Sequence, residues 1–218
     1  MFLISSKVVI ITATKGIFKD KIWNIHSIFV TCIVSKRIII ITSALQLFVE
    51  RGLQATPMSQ VAKAAGTGMG TIYNHFSSKE ELVNAIYLFI KEKEAAYIFE
   101  EYNPEQSVRY RFEALYGRLM HYFIENSFEF QFMDRFSLSP IITEISSEKG
   151  KKYFELFFQL FKEGQQERII KDMPIQQLAY FVMGATSSIM RLHLADNITI
   201  QEEDIQKHLI LAWDAIKN

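Results

Sequence analysis

Cysteine is almost missing from these 218 residues: Cys32 is the only one. An internal disulfide and a cysteine-built zinc site are therefore excluded, and the usage suits a reducing, cytoplasmic compartment. Proline and glycine are also scarce, at four and nine, whereas Phe occurs eighteen times and 49% of the chain is hydrophobic. That balance argues against wholesale disorder and for a packed all-helical protein with an aromatic interior. No uninterrupted apolar run approaches the roughly 18–20 residues of a membrane span, so no membrane partner is expected. His121, His193 and His208 lack metal-ligand spacing, and no nucleophile motif accompanies the serines. An enzyme, a bound metal and a cofactor are all unexpected.

The zero net charge hides an asymmetry. Residues 1–35 hold Lys7, Lys15, Lys19 and Lys21 against Asp20, so the remainder carries a net −3. A global basic footprint for nucleic acid is absent, and any DNA-binding charge must be local to one face. Residues 1–35 are rich in Ile, Val, Phe and Thr without steady periodicity. Lys15 and Lys19-Asp20-Lys21 break the apolar run, and no small-residue cleavage site follows clearly, which argues against a signal peptide. Two readings stand: a poorly ordered or loosely docked extension, or an upstream stretch ahead of a true start near Val34.

From Lys36 the pattern becomes helical. Ile38, Ile41, Ala44, Leu45 and Phe48 recur at spacings of three and four, which predicts a helix from about Arg37 to Arg51, ended by Gly52. Thr56 is placed to cap a second helix with Pro57 at its first position; Val61, Ala62 and Ala65 face the first helix, and Gly66 closes the second. Two short helices joined by a tight glycine turn form a helix-turn-helix. Glycines at 66, 68 and 70 do not make a dinucleotide loop, because no strand precedes them and position 71 is Thr. Ser77-Ser78-Lys79-Glu80-Glu81 opens a fourth helix through a capping box, Ser77 with Glu80 or Ser78 with Glu81, that continues to about Glu101.

The run Ala44…Leu47-Phe48…Gly52…Thr56…Val61-Ala62…Ala65-Gly66…Gly70-Thr71-Ile72-Tyr73…His75-Phe76…Lys79-Glu80…Leu82 resembles the N-terminal domain of the TetR/AcrR family of transcriptional repressors. The resemblance implies an all-α homodimer: a three-helix helix-turn-helix head at 36–82 and a helical ligand-binding and dimerisation body at 83–218. It implies that the third helix, Gly68–Asn74, enters the major groove of operator DNA and that the body takes a small inducer. Carried onto this sequence, it makes Thr56, Tyr73 and Lys79 phosphate contacts and His75 the neighbour in an aromatic pair. Thr67, Gly68, Met69, Thr71 and Asn74 face outward by helical arithmetic and are the base-edge candidates; Asn74 can read adenine, and Thr71 or Met69 can touch a thymine methyl. Thr67 and Gly68 depart from the family's usual Val and capping Ser or Thr. An interior Gly costs about 1 kcal/mol relative to Ala, so the recognition helix starts less firmly.

In the body, Asn103-Pro104-Glu105-Gln106 reads as the start of helix five, with Val108, Phe112, Leu115, Leu119 and Phe123 as its buried stripe. Residues 126–148 read as a short helix followed by an irregular connection, and Lys149–Glu167 as one helix. The next helix, Pro174 to Leu194, is apolar on more than one side and needs two partners; Phe181, Val182, Ile189 and Leu192 share one face. Thr199 with Glu202 is expected to cap the last helix. By resemblance, helices 174–194 and 201–217 pair with their copies across the dimer. Phe112, Tyr116, Phe123, Phe157, Phe161, Tyr180 and Phe181 are the candidate lining of an inducer pocket, which favours a hydrophobic or aromatic ligand. The reading is a repressor released from its operator by such a molecule. The alternatives are a repressor switched by a protein partner and a helical interaction module with a degenerate head.

Overall fold

The computed structural model describes residues 35–196 and 198–218; the expectations for residues 1–34 lie outside the described residues. Ten α-helices make up the described chain, with a single antiparallel bridge, Ile170 to Lys217.

The head follows the sequence closely. Helix α1, Lys36–Arg51, is capped by Ser35 and ends at Gly52, whose φ of 83° no β-carbon-bearing residue adopts easily. Burial of Ile40, Ile41, Ala44, Leu45 and Phe48 overrides the strand preference of its isoleucines. Ile38 turns outward instead, because the inner face is centred on Ile41, Ala44, Leu45 and Phe48. Helices α2, Met58–Ala64, and α3, Met69–His75, are joined through Gly66 at φ 61°. Thr67 donates its N–H to Ala62 O at 3.0 Å, which satisfies a terminal carbonyl of α2. Helix α4, Lys79–Ile98, is capped by Ser78, whose hydroxyl accepts from Glu81 N. The Glu81 carboxylate reaches back one residue further, to the N–H and hydroxyl of Ser77, so the capping box is staggered.

In the body four expectations are corrected. Helix α5, Val108–Glu125, begins at the Ser107 cap rather than at Asn103-Pro104. Asn103 accepts from Glu105 N in a preceding turn, and the helix starts where Val108 first reaches the core. After α6, Ser127–Phe136, the stretch expected to be irregular winds into α7, Glu144–Lys152, capped by the Thr143 hydroxyl. A break at Tyr153-Phe154 then separates α7 from α8, Glu155–Gln166, where one helix was expected. The break sets the Phe154 ring beneath the Lys91 ammonium, 4.2 Å away, and edge-on to Phe99. Helix α9 is Ile175–Asp196 and α10 is Glu202–Ile216. The cap of α10 is a Gln201–Asp204 box rather than Thr199 with Glu202, since Asp204 accepts the Gln201 N–H at 3.0 Å.

Two hydrophobic cores form, and α4 runs from one into the other. The head core holds Ile41, Phe48, Val61, Ile72, Phe76, Leu82 and Ile86, extends along α4 to Ile90, and takes in Phe132, Met133 and Ile142 from the body. The body core begins at Ile98 and contains Phe112, Phe123, Phe130, Leu160, Phe161 and Trp213. Residues 83–90 thus pack with the head. Between Ile90 and Ile98, α4 buries a charge: Glu94 is 0% exposed.

Candidate nucleic-acid interface

Helix α3 is held by one side and open on the other. Ile72 and Phe76 are fully buried, and burying each of these side chains contributes about 1.5–3 kcal/mol to fixing α3 on the head. Positions four apart on the opposite side, Met69 with Tyr73 and Gly70 with Asn74, face solvent, and Tyr73 is 50% exposed. Thr67, Thr71 and His75 are half-buried on the flanks and Gly68 is exposed. Gly68 supplies no side-chain cap, but its carbonyl accepts from Thr71 and Ile72, and that starts the helix.

Two expected phosphate groups are placed differently from each other. Thr56 is fully buried, and its hydroxyl donates to Gly52 O at 2.8 Å and approaches Leu47 O at 3.4 Å. It braces the α1–α2 turn; Pro57, without a side-chain hydrogen bond, stands at the N-cap of α2. The expectation that Thr56 caps α2 and offers its hydroxyl to a phosphate is corrected: Gly52 O needs a donor inside the turn, and Thr56 supplies it. Lys79 is half-buried at the start of α4, with its ammonium on Leu53 O at 2.6 Å. An ammonium has three donors, so this bond orients Lys79 without using it up.

The head carries a small excess of positive charge. Lys36, Arg37, Arg51, Lys63 and Lys79 stand in the head against Glu50, Glu80 and Glu81. Glu81 is held below the ordinary carboxylate range, mainly by the Ser77 hydroxyl and N–H. Lys36, Arg37 and Lys63 are exposed and were not singled out from the sequence, although Lys63 lies opposite the buried Val61–Ala62 pair and helical arithmetic could have found it.

The aromatic set in the body divides. Phe112, Tyr116, Phe123, Phe157 and Phe161 are buried and pack on one another or on their neighbours. Ring centroids are 4.8 Å apart for Phe157–Phe161, 5.8 Å for Phe112–Tyr116 and 5.4 Å for Phe123–Phe130. The Tyr116 hydroxyl lies in the core without a hydrogen-bond partner, and burial raises its pKa. Tyr180 and Phe181, at 56% and 55% exposed, do not belong to this lining. Helix α9 buries Leu178, Val182, Thr186 and Met190, spaced by four, which turns Tyr180 and Phe181 outward.

At the joint between the cores lies a polar layer. Lys91 bonds Glu94 at 3.1 Å, and the second Glu94 oxygen has no partner. Burial raises the Glu94 pKa against the opposing pull of Lys91, and Glu129 raises it further. Glu129 in turn takes the Lys93 ammonium and the Tyr122 hydroxyl, and the phenol is pushed up by burial and then by Glu129. Tyr87, on the same helix, is raised to about 12 by burial and by Glu94. Among the described residues no cluster of three metal-ligating side chains occurs and no helix is long and apolar enough to cross a membrane.

A short helix presented from a three-helix head, carried on a larger helical body, defines the class of helix-turn-helix transcription regulators. The model of the bacterial regulatory proteins of the tetR family matches residues 40–86, and that of the tetracyclin repressor-like C-terminal domain matches residues 92–218. The chain belongs to this family and is a DNA-binding transcriptional regulator rather than an enzyme. The HTH-type transcriptional regulator UidR of Escherichia coli K12 is 25% identical over 174 residues, 79% of this chain and 85% of that protein. The HTH-type transcriptional repressor KstR2 of Mycobacterium tuberculosis H37Rv is 24% identical over 189 residues, 84% and 93% of the two chains. Among solved structures, a TetR family transcription regulator from Marinobacter aquaeolei VT8 matches with a TM-score of 0.78 at 21% identity, covering 84% of this chain and 96% of that one. The ketosteroid transcriptional regulator KstR2 of M. tuberculosis matches at 0.61 and 19%, covering 85% and 97%.

Proposed function

We propose that this regulator is a homodimeric repressor that reads its operator through α3 and is released by a hydrophobic small molecule held in the body. The observation that carries the reading is the two-sided α3. Buried Ile72 and Phe76 fix it, while Met69, Gly70, Tyr73 and Asn74 face outward. Tyr73 and Lys79 position the head on phosphates; Thr67, Gly68, Met69, Thr71 and Asn74 meet base edges, with His75 beside them. The exposed apolar side chains Tyr180, Phe181 and Leu192 of α9 and Ile210 and Leu211 of α10 support pairing through the last two helices. The aromatic interior around Phe112, Phe123, Phe157 and Phe161 supports an apolar ligand. Release is a population shift: the ligand binds better to the head spacing that does not fit the operator.

Titration of the purified protein on the DNA upstream of its own gene tests the reading. Sequence-selective affinity that falls steeply with salt is expected. Binding with no preference between this DNA and random duplex contradicts it.

A further inference from the structure

We propose that the seam between head and body holds a second small-molecule site, one for an organic anion with an apolar tail. A groove of about 560 Å³ opens between the α1–α2 turn and the end of α6 with the segment after it. This volume falls within the roughly 300–1,000 Å³ of small-molecule sites. Leu53, Ala55, Phe136 and Ile141 give it apolar walls, and its only charged lining residues are Arg51 and Arg135. No carboxylate lines it.

The two guanidiniums keep their charge unneutralised. Arg51 donates to the Gln60 amide oxygen at 3.0 Å, and Arg135 to Val49 O at 2.6 Å and Gln131 at 3.4 Å. Among the described residues neither meets a carboxylate within 4.0 Å, whereas Arg109, Arg111, Arg118 and Arg191 each pair with one. A guanidinium has five donors, so both arginines retain N–H groups for a carboxylate or sulfonate. Two cations lining a groove with apolar walls favour an amphipathic anion over a cation or a fully polar solute.

The position of the groove gives such a ligand a consequence. One wall, Arg51 to Ala55, belongs to the head; the other, Arg135 to Ile141, belongs to the body. A molecule touching both walls holds α6 against the α1–α2 turn and so stiffens the joint between head and body; that this alters head spacing rests on the dimeric reading above. This site is separate from the aromatic interior and does not depend on how α3 reads DNA.

Octanoate and its neutral counterpart octanamide, titrated calorimetrically without DNA, test the assignment. Octanoate is expected to bind saturably and more tightly than octanamide, and Arg51→Gln and Arg135→Gln each to weaken octanoate by about fivefold or more while leaving octanamide unchanged. Arg135→Lys keeps the cation should Arg135→Gln melt early, and is expected to retain part of the octanoate affinity. The proposal is overturned if octanoate does not saturate, or if its affinity is indifferent to both substitutions. It is equally overturned if, in a parallel titration on the DNA upstream of the gene, the substitutions reduce the affinity and salt dependence of DNA binding while leaving octanoate unchanged, which would make the arginines phosphate contacts.

Discussion

Asn84 and Thr143 hold each other across 59 residues of chain: the Thr143 N–H and hydroxyl both donate to Asn84 Oδ1, at 2.9 and 3.3 Å. The Asn84 amide donates in return to Ile141 O and to Glu80 O, each at 2.8 Å. One buried side chain on α4 thus fastens the segment after α6 to the head side of the molecule. Asn84→Ala removes the partner of the Thr143 N–H and of the Ile141 carbonyl, both in partly buried hydrogen bonds, which costs about 0.5–1.5 kcal/mol per bond. Denaturant unfolding should show that loss, and hydrogen exchange should speed up at residues 141–146. Unchanged exchange there would mean that the segment is held by its apolar contacts alone.

Glu94 ties stability to pH. Its carboxyl titrates above its ordinary value of 4.5 in the folded chain, because burial disfavours the charged form. The folded state therefore binds the proton more tightly than the unfolded state. The Glu94 contribution is fully present below pH 4.5 and is lost as pH rises towards the raised folded value. Glu80, Glu81 and Glu163, held low by hydrogen bonds, act in the opposite sense. The difference between wild type and Glu94→Gln isolates the one group. Wild type should lose stability relative to the variant as pH rises from about 4.5, and a pH-independent difference would show that Lys91 fully compensates the burial.

Tyr73 separates phosphate contact from packing. At 50% exposed it adds little to the core, so Tyr73→Phe should leave the melting temperature within about 1 °C and weaken binding to all duplexes alike. Unchanged affinity with unchanged stability would remove Tyr73 from the interface.

Phe181 and Leu211 test the pairing of α9 and α10. A charge placed in an apolar contact between copies is costly to desolvate, so Phe181→Glu or Leu211→Glu should shift sedimentation towards the monomer and abolish tight operator binding while the head stays folded. A dimer that survives both would move the interface elsewhere.

Much of the head was legible because its signals are local. Ser78 before Lys79-Glu80-Glu81, Gly52 after Arg51 and the Ile72–Phe76 spacing each state a boundary or a face within a few residues. Thr56 was misread because it satisfies both a cap pattern and a turn, and the choice depends on Gly52 O, a backbone group with no trace in the sequence pattern. Between Phe136 and Phe154 the signals compete. Thr143 can cap a helix, but the break at Phe154 places its ring against Lys91 and Phe99, more than fifty residues earlier, contacts with no local trace in the sequence. Tyr180 and Phe181 share α9 with equally apolar Leu178 and Val182, so only packing decides which pair turns inward. The division between cores at Glu94 was hidden for the same reason, since a Glu in a helix looks like any solvated position.

The reading of DNA by the outward side of α3 is tested most directly by selecting preferred duplexes from a randomised pool with wild type, Thr71→Ala and Asn74→Ala. Wild type should enrich a two-fold symmetric site with half-sites about one helical turn apart, and each substitution should relax or change the preference at one position in each half-site. Recovery of the same site by all three proteins would contradict base reading by this helix.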